Sequence, residues 1–507
     1  MTPVRTIINT VTTAFIRRRL ADMQVYMEHP AEAQRRLFKE LIDTAKDTEW
    51  GKQYDYSSIA STQEYAQRVP VQDYDAIKPW IERVMEGHAN VMWSERIQWF
   101  AKSSGTTSDK SKYIPVSPAS LDQCHFKGGR DAMSVYCSYY PETKIFTGKT
   151  LVLGGSHKIN HLDSGSRYGD VSAVMLENLP FVADVFRTPE RSIALMDEWE
   201  SKIEKMALAT INEHVTQIAG VPSWTMVLIK KIFELTGETD LRAVWPDLEL
   251  FSHGGVSFAP YRTQYQHAIP HADMHYLETY NASEGFFALQ DDPTRNDMLL
   301  LLDNGVYFEF VPMDELGNEY PRTLGIDEVE VNALYALVIS TNAGLWRYLL
   351  GDTVRVTSLQ PFRIQIAGRV KHYINAFGEE VMVDNTDQAL AKACAETGAQ
   401  VTDYTAAPAF TADGQGYHEW LVEFDTPPSD MVAFEEALDR HLQQLNSDYE
   451  AKRYKNMVLQ PIKLHVLPKG TFFNWLRSKG KLGGQHKVPR LSNERTYLEE
   501  ILALVGE

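Results

Sequence analysis

Hydrophobic and polar residues follow one repeating pattern over the first 86 residues of the chain. Apolar residues recur every three or four positions, as in AEAQRRLFKELIDTAK from Ala31. This spacing is typical of amphipathic helices. Pro70 and Pro79 are expected to mark breaks between helices. We therefore predict a helical region from Thr2 to about Glu86.

From Ile97 to Val356 the pattern changes to short apolar runs that are separated by polar turns. Such runs predict strands, and SKIEKMALATINEH from Ser201 predicts a helix between two of them. The alternation indicates a mixed α/β body. Strands are predicted at LVLGG from Leu151, LELFSHGG from Leu248, MHYLETY from Met274, VYFEFVP from Val306 and LYALVIS from Leu334.

The pattern changes again after GRVKHYINAFGEE, which starts at Gly368. A helix (DNTDQALAKACAE), a loop rich in Ala, Pro and Gly, a strand (HEWLVEF), a helix (MVAFEEALDRHLQQL) and a strand (IKLHVL) follow. This order predicts a second, smaller α+β domain, with a hinge near Arg369 to Lys371. We expect a large domain over residues 1–369 and a small domain over residues 370–507.

Composition excludes some classes of function. With 507 residues the chain exceeds one ordinary domain, and 44% hydrophobic with 23% charged residues is typical of a globular protein. A formal net charge of −18 would repel a phosphate backbone, so we expect no nucleic-acid partner. A small anionic ligand would need a local positive pocket.

The cysteines and the apolar segments indicate the cellular compartment of the protein. Cys124, Cys137 and Cys394 lack metal-ligand spacing, and their odd number favours reduced thiols and a cytoplasmic protein. The N-terminal TIINTVTTAFIRRRL carries its arginines after the apolar part, unlike a signal peptide. MLLLLD at Met298 is too short to span a bilayer, so no membrane partner is expected. The oligomeric state stays open.

The stretch AKSSGTTSDKSKYIPVS from Ala101 is a candidate anion-binding loop. The residues from Ser103 to Thr107 are small, so their backbone N–H groups can approach an anion, while Lys110 and Lys112 add positive charge. It is not a Walker loop, because Asp109 stands where that motif has a glycine. Taken alone, the stretch could be a phosphate cradle or an ordinary polar turn.

The residues around this loop predict a hairpin. Ile97 to Ala101 and Lys112 to Val116 both have strand character, which places the loop at the hairpin tip. A helix is predicted to follow, with Ser117 as N-cap and Pro118 at the first helical position.

Two carboxylates follow apolar runs. Glu284, in TYNASEGFFALQ, comes directly after a predicted strand and could hold magnesium against phosphates, or could be a solvated turn residue. Asp352 follows Gly351 in STNAGLWRYLLGDTVRV and could bind a ribose diol, or could simply serve a turn.

Two further patterns suggest a functional site, but a structural interpretation is favoured for each. His267, His271 and His275 recur every four residues, as metal ligands on a helix would, but Pro270 interrupts that helix and favours surface or hydrogen-bonded histidines. GGVSFAP at Gly254 is similar to a hydrolase nucleophile elbow around Ser257, although its last glycine is replaced by alanine. A tight turn is favoured there, and a serine hydrolase using Ser257 is an alternative function.

Near the C terminus, GTFFNWLRSKGKLGGQHKVPR concentrates basic residues in a glycine-broken loop. They are Lys479, Lys481, Lys487 and Arg490. A lysine cluster of this kind could be solvated, or it could present a cation from the small domain.

Taken in order, SSGTT, YNASE, NAGLWRYLLGD and GQHKVPR resemble motifs of the Gretchen Hagen acyl-acid amido synthetases, the auxin-responsive branch of the adenylate-forming superfamily. The resemblance includes YFEFVP and LNSDY and covers most of the chain from about Ala31. Each motif is weak alone, but their ordered combination is specific. The resemblance implies a large mixed α/β N-terminal domain of the firefly-luciferase-like type and a smaller, mobile α+β C-terminal domain.

The activity that the resemblance implies has two steps and uses ATP and magnesium. ATP and a small carboxylic acid give an acyl-adenylate and pyrophosphate, and the amine of an amino acid then displaces AMP to form an amide. A thioester-forming ligase of the same superfamily is the nearest alternative, and a non-catalytic nucleotide-binding protein is another. The sequence names neither the acid nor the amino acid.

The resemblance also implies roles for single residues. Glu284 would bind magnesium as part of the catalytic machinery, Asp352 would bind the ribose, and Lys487 would be the catalytic cation from the small domain. Arg369, at the hinge, is grouped with the nucleotide-binding residues, and Arg130 would bind the carboxylate of the acid. The phosphates would lie against Ser103, Ser104, Gly105, Thr106 and Thr107, and the adenine against Tyr280, Asn281, Ala282 and Ser283.

Overall fold

The structure is a computed structural model that forms two compact units. The first combines Met1–Gly255, His271–Leu350 and Val354–Gln365, and the second combines Val256–Pro270, Gly351–Thr353 and Ile366–Glu507. The predicted domain division after residue 369 stays a prediction. The structure describes residues 3–103, 112–154, 159–196, 198–256, 258–370, 373–374, 376–377, 379, 381–410, 416–453, 459–480 and 487–506.

The first unit begins with the predicted helical region. The third helix buries an apolar face that includes Leu37 and Leu41. The Gln34 side chain on the same helix donates to the Leu302 and Val306 carbonyls at 2.9 and 3.1 Å. The helices are α1 (Pro3–Arg17), α2 (Arg19–Glu28), α3 (Pro30–Ala45), α4 (Glu49–Gln53), α5 (Thr62–Arg68) and α6 (Tyr74–Met85).

Pro79 does not break a helix, contrary to the sequence prediction, because it lies inside α6. A proline in a helix interior removes one hydrogen bond and costs about 3 kcal/mol. The helix is retained because Asp73 caps its first turn, and because Ile77 and Ile81 are fully buried.

The mixed α/β body is confirmed. Its elements run as β1 (Trp99–Ser103), β2 (Lys112–Val116), α7 (Pro118–Ser120), α8 (Lys127–Tyr139), β3 (Lys149–Val152), β4 (Asn160–His161), β5 (Arg167–Gly169), α9 (Val171–Glu177), α10 (Phe181–Val185), β6 (Arg187–Thr188), α11 (Arg191–Ala194), α12 (Trp199–Thr210), β7 (Val215–Gly220), α13 (Pro222–Thr236), α14 (Leu241–Val244) and β8 (Leu250–Gly254). After α15 (Arg262–Ala268), which belongs to the second unit, come β9 (His275–Ala282), β10 (Gly285–Leu289), β11 (Met298–Leu300), β12 (Val306–Pro312), β13 (Leu334–Thr341), β14 (Tyr348–Leu359) and β15 (Phe362–Arg369).

The largest sheet among the described residues has 11 strands in the order β12-β13-β14-β15-β11-β10-β9-β8-β7-β3-β6. The strands from β6 to β9 run parallel, and β9, β10, β11 and β15 pair antiparallel. The carboxyl ends of the parallel strands therefore meet at one edge, which is where ligands bind in open α/β sheets. The residues that follow β9 lie at this edge.

A smaller sheet has the order β2-β1-β5-β4. Strands β1 and β2 pair antiparallel up to Ser103 opposite Lys112, which confirms the predicted hairpin. The first strand begins at Trp99, two residues later than predicted. Ser117 caps the helix after β2 as predicted, because its Oγ accepts from the Ser120 N–H at 2.9 Å.

The second unit contains the predicted smaller α+β arrangement. Its sheet has the order β18-β19-β20, and α16 packs beside α17. Tyr404, Trp420 and Leu438 are fully buried in its core. The elements are β16 (Tyr373–Ile374), β17 (Val381–Met382), α16 (Val383–Thr397), β18 (Gln400–Phe410), β19 (Gly416–Thr426), α17 (Met431–Leu445), α18 (Ser447–Arg453), β20 (Lys463–Leu467), α19 (Thr471–Ser478) and α20 (Thr496–Val505).

One predicted loop of this unit is wrong. The segment rich in Ala and Pro after α16 forms the long strand β18, which pairs with β19 along its length. Pro408 is tolerated because β18 is at the edge of the sheet, where a missing N–H need not break a ladder.

Among the described residues, none of the helices combines the length and the apolar composition needed to cross a bilayer.

Candidate active site

Glu284 lies in a two-residue turn between β9 and β10, as the sequence predicts for a carboxylate at a strand end. Ala282 pairs with Gly285 across this turn. A Cβ at Gly285 would lie 2.8 Å from the Phe287 ring and 3.1 Å from Cys124 Sγ, so this position favours glycine. The tight packing fixes the turn that carries Glu284 at the carboxyl edge of the parallel strands.

The four residues predicted to face adenine differ in exposure. Tyr280 is only 5% exposed, and its ring packs edge-on against Phe287, with 5.1 Å between the centroids. Ser283 is buried, Ala282 is half-buried and Asn281 is exposed. The Tyr280 ring is therefore packed inside the protein.

The predicted phosphate loop from Ser104 to Thr107 lies outside the described residues, and so does the side chain of Ser103. Lys112, the first residue of β2 after the loop, is described. The Lys112 ammonium lies 5.5 Å from the centroid of the Tyr74 ring and 3.4 Å from the Tyr348 hydroxyl. Two aromatic side chains therefore hold one cation beside the loop.

Arg130, the predicted carboxylate ligand, is exposed on α8, and its guanidinium lies 3.4 Å from Asp122. A π-helix from Leu121 to Phe126 precedes α8. Such a distortion often marks a functional site, and the sequence reasoning did not identify it.

The π-helix packs on β10, next to the turn that carries Glu284. The Phe286 N–H donates to Cys124 Sγ at 3.2 Å, and a Cβ at Gly128 would lie 2.3 Å from the Phe286 ring. Burial lowers the pKa of the neighbouring His125 to about 4, so this histidine is neutral at physiological pH. The glycine at position 128 is a sequence feature that could have indicated this close approach.

In the second unit, Asp352 is 7% exposed and lies within β14 rather than at a turn. Gly351 has a φ of 88°, and its carbonyl accepts from the Val370 N–H at 2.9 Å. The Arg369 Nε lies 2.9 Å from Asp352 Oδ1. Two predicted nucleotide-binding residues on the neighbouring strands β14 and β15 therefore form an ion pair.

Lys487 lies close to this ion pair. Its side chain is exposed, yet the surrounding protein lowers the pKa of its ammonium to about 8. Desolvation is the largest cause, the positive charge of Arg369 is the next, and the charge of Asp352 opposes both. In the same C-terminal segment, the Lys479 ammonium lies 2.7 Å from the Glu500 carboxylate.

The histidines behave as predicted for hydrogen-bonded residues. His267 contacts Gln400 at 3.0 Å, His271 contacts Asp240 at 2.7 Å and His275 contacts Tyr136 at 2.7 Å. Among the described residues, no group of three His, Cys, Asp or Glu side chains could hold a metal ion by itself. The predictions that fall on Ser257, Lys371 and Lys481 lie outside the described residues.

The fold of this chain is similar to that of solved adenylate-forming ligases. The solved structure titled GH3.15 acyl acid amido synthetase has a TM-score of 0.77 at 16% identity, covering 96% of this chain and 95% of that chain. A 2-hydroxyisobutyryl-CoA ligase in complex with an acyl-AMP has a TM-score of 0.55 at 12% identity, covering 97% of this chain and 92% of that chain.

Family models and curated relatives identify the family. Models described as the N-terminal, central and C-terminal domains of the GH3 family match residues 19–274, 299–369 and 384–496. The chain therefore belongs to the GH3 family, whose relatives are acyl-acid amido synthetases, and it is a ligase. This confirms the resemblance found in the sequence.

Curated relatives from plants match over most of their length. Indole-3-acetic acid-amido synthetase GH3.3 of Arabidopsis thaliana is 25% identical over 90% of this chain and 88% of its own length. Jasmonoyl--L-amino acid synthetase GH3.5 of Oryza sativa subsp. japonica is 23% identical over 93% and 94%. The 4-substituted benzoates-glutamate ligase GH3.12 of Arabidopsis thaliana is 23% identical over 84% and 87%.

Proposed function

We propose that this protein uses ATP to adenylate a small carboxylic acid and then transfers the acyl group to the amine of an amino acid. Pyrophosphate leaves in the first step and AMP in the second, and the product is an amide. The observation that carries this proposal is the grouping of Asp352, Arg369 and Lys487 in one unit. These residues supply an acceptor for ribose hydroxyls and a cation for a reacting phosphate.

The first step needs charge stabilisation at the α-phosphate. When the carboxylate oxygen of the acid attacks that phosphate, negative charge builds on the phosphoryl oxygens. An ammonium that is already in place stabilises the transition state more than the ground state. Lys487 fits this role, because its surroundings disfavour its charge in the free enzyme, and an approaching phosphate would favour it again.

Magnesium fits the chemistry of the Glu284 turn. Magnesium in nucleotide sites is commonly bound through one or two carboxylates together with substrate phosphates and water. Glu284 would supply the carboxylate, and its rigid turn would orient it. When bound, the ion would neutralise charge on the phosphates, while the small residues from Ser103 to Thr107 would donate backbone N–H groups to them.

We infer that Arg130 binds the carboxylate of the acid before adenylation. Its guanidinium is exposed, and the contact with Asp122 at 3.4 Å is long for a charge-assisted hydrogen bond. A substrate carboxylate could therefore replace Asp122 at modest cost. When that carboxylate oxygen bonds to the α-phosphate and pyrophosphate leaves, the acyl group would lose its negative charge and its contact with the arginine would weaken.

We place the protein in the cytoplasm. Cys124, Cys137 and Cys394 are all free thiols, which a reducing compartment maintains. Burial raises the pKa of Cys124 to about 12 and that of Cys137 to about 11, so neither thiol is reactive at neutral pH.

A screen of acids against acceptors tests the proposed function. Purified protein is incubated with ATP and magnesium, one of a set of acids that includes indole-3-acetic acid and benzoates, and single amino acids, and pyrophosphate release is measured. We expect release that depends on the acid, and an amide product that is identified by mass spectrometry. Coenzyme A in place of the amino acid provides the thiol comparison.

Two results would contradict the proposal. If the products are pyrophosphate and a thioester of coenzyme A, with no amide, the acceptor is a thiol and not an amine. ATP binding without pyrophosphate release for any acid would assign the protein to nucleotide binding without catalysis.

A further inference from the structure

The backbone just after Lys487 is fixed to the edge strand β18. The Ala406 N–H donates to the Arg490 carbonyl at 2.9 Å, and the Ser492 N–H donates to the Ala406 carbonyl at 3.2 Å. Leu491, between these two, is fully buried in the core of the second unit. The chain therefore leaves Lys487 and reaches a rigid anchor within four residues.

The Arg490 side chain strengthens this anchor on three sides. Its guanidinium donates to the Asp403 carboxylate and, at 3.1 Å, to the Tyr261 hydroxyl. It also lies 4.5 Å from the centroid of the Tyr404 ring. Arg490 is 13% and Asp403 18% exposed in their side chains, so solvent screens the pair only partly.

Tyr404, which contacts Arg490, is itself held by other side chains. The Tyr404 hydroxyl donates to Asp387 at 2.7 Å, and the Tyr404 ring stacks on Trp420 with 5.2 Å between the centroids. A planar guanidinium matches this arrangement of acceptors and ring face, whereas a lysine ammonium at the same position could not reproduce it.

We propose that Arg490 is a positioning residue that holds the loop carrying Lys487, so that the Lys487 ammonium is in place for adenylate formation. The inference rests on the proposed function of Lys487. Arg490 follows Lys487 by three residues, and its own side chain is committed to Asp403, Tyr261 and the Tyr404 ring. It acts through Lys487, and not on the substrate.

Arg495 offers a matched control. It lies in the same C-terminal segment, and its guanidinium donates to Glu419 at 2.6 Å and to the Pro408 carbonyl at 3.2 Å. Arg495→Lys therefore removes a comparable arginine–carboxylate contact from the same unit. It leaves the Arg490 contacts in place.

A double-mutant cycle tests the inference. The rate of pyrophosphate formation is measured with ATP and the best acid from the screen, for wild type, Lys487→Ala, Arg490→Lys, the double variant and Arg495→Lys. We expect Arg490→Lys to slow this rate by about tenfold to a hundredfold, the scale on which misplaced catalytic groups act. In the Lys487→Ala background the same change should cost less than about twofold, because the two residues act as one unit.

The second half-reaction separates positioning from general damage. Aminolysis of supplied acyl-adenylate by Arg490→Lys should match that by wild type, and Arg495→Lys should match wild type in both half-reactions. Equal slowing of both half-reactions by Arg490→Lys would show a structural role and overturn the inference.

Other outcomes identify which claim fails. A wild-type rate for Lys487→Ala would overturn the proposed role of Lys487 and the inference together. A slow Lys487→Ala with a wild-type Arg490→Lys, or with effects that multiply in the double variant, would overturn the role of Arg490 alone.

Discussion

Asp352 is the residue whose proposed contact with the nucleotide can be tested by the smallest change. Asp352→Asn keeps the shape of the side chain but removes a charged acceptor for ribose hydroxyls. Losing a hydrogen bond to a charged group costs about 1.5 to 3 kcal/mol, which corresponds to roughly tenfold to a hundredfold weaker ATP binding. Calorimetric titration with ATP measures this change.

Asp327 provides the control for Asp352, because it pairs with Arg35 at 3.3 Å and is 57% exposed. Asp327→Asn should leave ATP affinity unchanged. An Asp352→Asn variant that binds ATP as tightly as wild type would rule out the ribose assignment.

The lowered pKa of Lys487 predicts that the adenylation step depends on pH. Its ammonium acts while protonated, and the pKa of this group is lowered to about 8 by desolvation and by the charge of Arg369. The kcat/KM for ATP in the adenylation step should therefore fall as pH rises through about 8, since this ratio reports groups of the free enzyme. An ordinary lysine would lose its charge only near pH 10.4.

The control for this pH profile is Lys487→Ala, which should lack the alkaline fall because it has no ammonium to titrate. A wild-type profile that stays flat to about pH 9.5 would contradict the assignment.

At the scale of elements, one buried ion pair connects the end of α5, the strand β12 and the residue that precedes β14 in the first unit. The Arg347 and Glu309 side chains are 3% and 5% exposed and lie 3.0 Å apart. Arg347 also donates to the Ala66 and Val69 carbonyls at the end of α5. Removing one partner of a buried pair typically costs about 3 to 5 kcal/mol, because the other charge stays buried.

Glu309→Gln should therefore lower the free energy of unfolding strongly, measured in urea by tryptophan fluorescence. Asp327→Asn, which breaks an exposed pair, should change it by less than about 1 kcal/mol. Equal unfolding midpoints for the two variants would show that the buried pair contributes little.

Elements with a clear hydrophobic period were predictable from the sequence. The helix α17 and the strand β12 have the predicted bounds, because α17 buries one regular apolar face and β12 is a short, largely apolar run that is buried on both faces. The strand β18 was mistaken for a loop, since its stability comes from pairing with β19 and not from its own Ala- and Pro-rich residues. Pro79 was misread for a similar reason, because packing of α6 outweighs a local preference.

At the scale of the whole molecule, the order of four short motifs was enough to predict the family. The ion pair of Asp352 with Arg369 was missed because the sequence analysis did not identify β14 and β15 as neighbouring strands, although only two residues join them. The supporting role of Arg490 was hidden for a different reason, since its partners Asp403 and Tyr261 are distant in sequence. Contacts between distant segments are what the sequence pattern leaves open.

The central claim is that Lys487 serves the first of two separable half-reactions, and measuring both in Lys487→Ala tests it most directly. Adenylate formation, followed as pyrophosphate release, should slow by about two to three orders of magnitude, the scale of losing one electrostatic donor. Aminolysis of supplied acyl-adenylate should stay near the wild-type rate. Lys479→Ala is the control, because that lysine is paired with Glu500 and should leave both rates unchanged. Pyrophosphate release at the wild-type rate in Lys487→Ala, or the same small loss in both variants, would contradict the account.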